Sequence, residues 1–253
     1  MRARDTFPVQ WSMAVRSFTR PYQVTLGMIA LICMVPVYVF IGHGVAAGAL
    51  SAPAIALDDL LPLHPSWALV YGALYLFLIV LPVLVVREQE HIRRTFRAYL
   101  IVWITAYICF LVYPTFAPRP IQLTGKGFAT WGLRFLYDAD PPYNCFPSLH
   151  VAHSFVSAFT CYIVNRRVGI IATIAASLVA LSTLYTKQHY VLDVVAGLAL
   201  ACIAYAVFLR SYPRELTPAR DRHLAPALTV GVLGISAIVV ACSWIAYAVT
   251  AKS

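Results

Sequence analysis

Apolar runs of bilayer length dominate this chain and leave few folds open to it. Six lie near Gln23–Ile41, Ser66–Val86, Ala98–Phe116, Val168–Tyr185, Val191–Leu209 and Ala227–Val249; a seventh, shorter and more polar, is Leu149–Val164. A hydrocarbon core of about 30 Å needs about 20 apolar residues per helix. With no water there to satisfy the backbone, such runs fold as helices. The expected fold is all-α, a polytopic membrane helix bundle. Composition agrees, with 61% hydrophobic and 11% charged residues, too apolar for a soluble domain.

A net charge of +9 would fit a nucleic-acid partner, but its placement argues against one. Fourteen of the 19 Lys and Arg fall in Met1–Tyr22, Arg87–Arg97, Asn165–Arg167 and Arg210–His223. These are alternate connections, which the positive-inside rule assigns to the cytoplasm. Arg119, Lys126, Arg134, Lys187 and Lys252 then lie on the opposite side. Residues 1–22 read as a basic cytoplasmic segment with interfacial aromatics, and 23–253 as one integral membrane catalytic domain. The bilayer is an inner or an endomembrane one, and no cleavable signal precedes the first span.

Against this apolar background, Cys145–Asp193 stands out. It begins CFPSLHVAHS and ends TKQHYVLDVVAG, placing His150, His189 and Asp193 among apolar residues. Ionisable groups at such depth are costly and mark a functional site. His189 and Asp193 are four apart, so on a helix the carboxylate can orient the imidazole and leave its second nitrogen bare. His150 follows Pro147-Ser148, a helix start whose free N–H groups suit an anion. A nucleophilic histidine, an orienting carboxylate, a second histidine as acid and an anion site together spell phosphoryl chemistry.

Around this stretch the chain reads as support. YPTFAPRP ends the third span and brings out Arg119. That residue reads as a snorkelling side chain at the membrane edge or, favoured because both motif histidines share its face, as a bidentate phosphate ligand. Ile121–Asn144 is the longest loop, with Trp131, Phe135, Leu136 and Tyr137 as a short interfacial helix at a lipid entrance or, equally, as packing around the bundle mouth. His43–Pro65 suits a short surface helix, and Arg87–Arg97 a solvated connection in which Glu90 pairs with Arg94. His150, His153, Ser154 and Ser157 form a polar stripe facing the bundle interior, where His153 reads as structural. Ala- and Gly-rich spans, including Gly197, allow the close helix approach that brings His150 to His189. Five cysteines lie in spans, and Cys145 at the outer surface is expected to be a free thiol. No nucleotide loop, metal cluster or cofactor site is expected.

FPSLH followed by HYVLD resembles the signature pair of the type-2 phosphatidic acid phosphatase superfamily, usually PSGH and SR-x5-H-x3-D. With YPT-x-x-PR before it and HY-x-x-D-x-x-AG after, the pattern is most similar to the inositol phosphorylceramide synthase-like branch. The resemblance covers roughly Tyr113–Gly197. It implies a six-helix core plus one extra C-terminal span, with the site at the membrane surface away from the cytoplasm. His189 would be the nucleophile forming a phosphohistidine, Asp193 its partner and His150 the general acid. Ser148 and Arg119 would hold phosphate oxygens. Val112 stands where the phosphatase pattern has Lys, and Thr183 where it has Arg, with Lys187 as a substitute.

The implied activity is cleavage of a lipid phosphoester, with head-group transfer from a phosphodiester donor to a lipid alcohol favoured slightly. The alternative is a lipid phosphate phosphatase of phosphatidic acid or polyprenyl phosphate type. A lipid-phosphate transporter and a membrane scaffold are the non-enzyme readings.

Overall fold

A computed structural model describes residues 22–46, 48, 50–117, 119–120 and 122–250; the basic N-terminal segment lies outside them. The described residues form helices α1 (Tyr22–Val45), α2 (Trp67–Val85), α3 (Gln89–Val112), α4 (Phe128–Ala139), α5 (Leu149–Val164), α6 (Arg166–Tyr185), α7 (Val191–Ala204) and α8 (Ala219–Thr250). Five are long and apolar enough to cross a membrane, counting α7 with its continuation to Leu209. This is the expected polytopic helical bundle.

The short, polar helix lies at its centre. α5 packs against α2, α3, α6 and α7, and thirteen of its sixteen residues are buried. A helix surrounded by protein need not present an apolar surface to lipid, so His153, Ser154, Ser157 and Thr160 are tolerated on it. Their partners come chiefly from α3. Tyr99 OH meets Ser157 Oγ at 2.6 Å, Thr95 Oγ1 meets Thr160 Oγ1 at 2.6 Å, and His91 Nε2 meets Thr160 Oγ1 at 2.9 Å. Such bonds join helices where burial of apolar surface gives no net drive.

Local chemistry sets the ends. Asn165 ends α5 and caps α6 by accepting from Arg167 N–H at 3.0 Å and Val168 N–H at 3.3 Å. Gly169 keeps this hairpin tight, because a Cβ there would lie 2.2 Å from the Cα of Tyr162. Glu88 caps α3, accepting from Glu90 N–H at 3.0 Å and His91 N–H at 2.7 Å.

That cap corrects the third span. Helix α3 starts at Gln89 and not near Ala98, so most of the charged connection is its first two turns. Arg94 reaches Glu90 at 2.8 Å there, as the spacing predicted. The helix stops at Val112, four residues earlier than expected, since Thr115 and Phe116 enter isolated bridges with Ser51 and Tyr143. The surface helix expected in His43–Pro65 is only the single turn Ala56–Asp59. The interfacial helix around Trp131 is α4.

Candidate active site

His150 and His189 reach one another through two helix starts. Ser148 caps α5, its hydroxyl accepting from Val151 N–H at 3.4 Å, and its own N–H donates to the Asp193 carbonyl at 3.0 Å. This crossing needs Gly197 on α7, where a Cβ would sit 2.5 Å from the Ser148 carbonyl oxygen. His150, in the first turn of α5, then places Nδ1 3.2 Å from Nε2 of His189.

His189 precedes α7, which begins at Val191, so its pairing with Asp193 is not a helical i,i+4 contact. Asp193 turns back as a helix-start residue: Oδ2 accepts Tyr190 N–H at 2.8 Å and lies 3.5 Å from His189 Nδ1. The expected proximity is present, with a capping origin. The loop holding His189 is fixed from both sides. Gln188 and His189 N–H donate to the Thr183 carbonyl at 2.9 and 3.2 Å. Asp58 accepts Val191 N–H at 2.8 Å through Oδ1.

A second carboxylate, unforeseen in the sequence, faces the other ring. Asp140 Oδ2 lies 3.9 Å from His150 Nε2. It is itself held by the Tyr38 hydroxyl at 2.9 Å on Oδ1 and by Gln188 Nε2 at 3.2 Å on Oδ2. The result is a row, Asp140–His150–His189–Asp193, in which each imidazole has a carboxylate at its outer nitrogen. Such an arrangement suits one ring to attack and the other to carry a proton.

Comparison with known proteins fits this geometry. A family model described as the PAP2 superfamily matches residues 50–207. The chain belongs to the PAP2 superfamily. It is also 34% identical over 124 residues to a PA-phosphatase related-family protein of Dictyostelium discoideum, covering 42% of this chain and 22% of that protein. The chain thus spans under a quarter of that relative's length. No solved structure matches.

Among the phosphate-binding candidates of this PAP2 chain, Arg119 is near the histidines. One of its terminal nitrogens donates to the carbonyls of Tyr137, at 3.2 Å, and Asp140, and its guanidinium lies 4.5 Å over the Tyr137 ring. Burial pushes the Tyr137 hydroxyl up to about 12 despite this cation. Arg119 Nε is buried without a hydrogen-bond partner among the described residues. Ser148 is buried and its oxygen caps α5, which leaves its hydroxyl proton to donate. Lys187 Nζ donates to the Asp58 carbonyl at 3.2 Å, and its φ of 55° makes the turn before His189. Thr183 is fully buried, its hydroxyl bonded to Ala180.

Cys145 also departs from expectation. It is a free thiol but buried, not at the surface, and burial pushes its ionisation well above the usual range. Its N–H and that of Phe146 donate to Thr115 Oγ1 at 3.0 and 2.9 Å, so the Thr of YPT clamps the approach to Ser148. His153 is stacked on Tyr99 at 4.5 Å, and its Nδ1 is buried without a hydrogen-bond partner among the described residues.

An apolar cleft of about 490 Å³ leads to the histidines between α1, α2, α3 and α5. Val35, Ile79, Phe96 and Trp103 line it, with His150 and Asp140 at one end and Val86 and Ile92 towards the other. From Tyr75 to Val86 it follows α2 for roughly 16 Å at 1.5 Å per residue. Val35 and Ile79 are both exposed on its flanks, which opens the cleft sideways towards lipid.

Proposed function

We propose that this protein is an integral membrane enzyme that cleaves a lipid phosphoester through a phosphohistidine at His189. The carrying observation is the histidine pair between two carboxylates at the head of an apolar cleft. His189 Nε2 attacks phosphorus, with Asp193 holding the proton on Nδ1. His150 protonates the departing oxygen and then takes the proton of the incoming hydroxyl. A phosphoryl group seated between the rings replaces their direct contact. Arg119 supplies positive charge to its oxygens. The lipid tail occupies the cleft, which has the size and apolar lining of a small-molecule site.

We favour transfer of a phosphorylated head group to a lipid alcohol, in the manner of the inositol phosphorylceramide synthase-like branch. A monoester brings nearly two negative charges and a diester one, so the monoester calls for more fixed cations. Val112 and Thr183 replace two of the phosphatase set. Lys187 is turned to Asp58, and Arg134 donates to the Leu123 and Gly125 carbonyls of its own loop. Arg119 is left as the principal cation, enough for a diester. The hydrolytic alternative draws support from the name of the Dictyostelium relative.

Purified protein in detergent, with excess chelator, would be given phosphatidic acid, a polyprenyl phosphate, and an inositol phospholipid with and without ceramide or diacylglycerol. Acceptor-dependent transfer is the expected product. Inorganic phosphate as the sole fast product selects the phosphatase. Binding without turnover selects the carrier.

A further inference from the structure

We propose that Cys145, His189 and Asp193 form a site for a thiophilic divalent cation such as Zn²⁺, and that its occupancy switches the catalytic histidine off. One ligand atom from each of the three lies within 4.8 Å of the other two, and all three residues are buried. Sequence spacing offered no such cluster, because Cys145 stands 44 residues before His189 and only the fold joins them.

Two atoms there make no hydrogen bond among the described residues. His189 Nδ1 and Asp193 Oδ1 are buried without a hydrogen-bond partner among the described residues. The 3.5 Å from Nδ1 to Oδ2 is an ion-pair distance that falls short of a hydrogen bond. Asp193 can give Oδ1 to a cation while Oδ2 keeps the Tyr190 cap. Cys145 Sγ has only a weak contact, 3.5 Å from the Pro142 carbonyl. Buried orphan acceptors of this kind call for an explanation, and an ion is one.

The donor set is one sulfur, one imidazole nitrogen and one carboxylate oxygen, a combination zinc accepts. Tetrahedral coordination at ordinary bond lengths puts such ligands about 3.4–3.6 Å apart. Oδ2 of Asp193 is already at that separation from His189 Nδ1, and the three ligand atoms, all within 4.8 Å of one another, need to close by at most about 1.4 Å. Binding forms a metal–thiolate bond and releases the thiol proton to water. The imidazole gives the Nδ1 lone pair to the metal and carries its proton on Nε2. Nε2 is then no longer a free nucleophile. The site is distinct from a catalytic metal centre, since the metal occupies the position of the proton that Asp193 orients.

The inhibitory half rests on the function proposed above, so the test reads binding and turnover separately. Cadmium would be titrated into chelator-washed, full-length protein whose other five cysteines are replaced by alanine. A cadmium–thiolate charge-transfer band saturating at one equivalent is expected, absent in Cys145→Ser and weakened in Asp193→Asn. Zinc should inhibit lipid phosphoester turnover reversibly, and Cys145→Ser should raise the inhibitory concentration at least tenfold. A missing band with Cys145 present, or the same band in Cys145→Ser, overturns the site. A normal band with zinc inhibition unchanged in Cys145→Ser overturns the switch. Should no substrate turn over, the band still decides the site.

Discussion

His150 Nδ1 lies 3.2 Å from His189 Nε2, and each ring has a carboxylate beyond it, Asp140 for the first and Asp193 for the second. The proposed roles divide along this row by position. His189 sits in a loop clamped by Thr183 and Asp58, which suits a nucleophile that must not move. His150 stands at a helix start beside the apolar cleft, against the edges of Tyr71 and Tyr75.

His189→Gln is expected to abolish turnover while the protein still folds, because glutamine keeps the bulk but has no nucleophilic nitrogen. Asp193→Asn should retain a trace, about 10⁴-fold below wild type, as loss of an orienting carboxylate disturbs the tautomer. The rate should rise and then fall with pH, since attack needs a neutral ring and departure a protonated one; the two limbs belong to the pair. Wild-type rates in His189→Gln, or a monotonic profile, contradict the assignment.

Asp140→Asn should lower kcat about 100-fold with little change in KM, the lower end of the roughly 10²–10⁴-fold that a positioned proton-transfer group contributes. Asp140→Glu should recover part of the loss, and Tyr38→Phe should cause a smaller one. Steady-state kinetics on all three variants checks this. An unchanged kcat in Asp140→Asn removes the carboxylate from the machinery.

Gly197→Val should separate the two helix starts. Even one Cβ meets the Ser148 carbonyl oxygen at 2.5 Å, and backbone cannot yield as a side-chain tip can. Overpacking of this kind costs about 1–3 kcal/mol, and activity should fall further than stability because the His150–His189 spacing is lost. Thermal unfolding in detergent beside kcat tests the pair of effects. Gly72→Ala, with open space at its Cβ, is the control.

Glu88 gives an acid-sensitive contribution. Burial raises its carboxyl, but donors from Glu90, His91 and the Tyr212 hydroxyl outweigh this and hold it below the ordinary value. A group lowered on folding stabilises above its unfolded pKa, and that stabilisation is lost as pH falls through its folded one. Glu88→Ala should therefore cost about 0.5–1 kcal/mol at neutral pH, in line with a partly exposed helix cap. The difference should shrink as pH falls through the folded value, which lies below the ordinary glutamate one. Melting curves at neutral and acid pH decide it.

The site is expected to face away from the cytoplasm, by the placement of Lys and Arg. Single cysteines at Lys126 and Arg93, both exposed, would be probed with an impermeant thiol reagent in a background without native cysteine. Labelling of the first from outside and the second only from inside is expected. The reverse pattern inverts the orientation.

Hydropathy alone determined the membrane class and most of the helix limits, because bilayer length and apolarity are local properties of a segment. The motif pair marked His150, His189 and Asp193, because charge within an apolar run is equally local. Other features depended on contacts between distant segments. α5 looked weak as a span because its neighbours, not lipid, surround it. His189 meets Asp193 through a helix cap that spacing could not distinguish from a helical turn. Asp140 enters from a loop ten residues before His150, held there by Tyr38 from α1 and Gln188 from beyond α6. Lys187 carries a charge suited to phosphate, yet its turn geometry gives that charge to the Asp58 carbonyl. Cys145 joins His189 and Asp193 only where α5 and α7 cross at Gly197. Sequence supplies the chemical groups; which of them share a few ångströms is a property of packed helices.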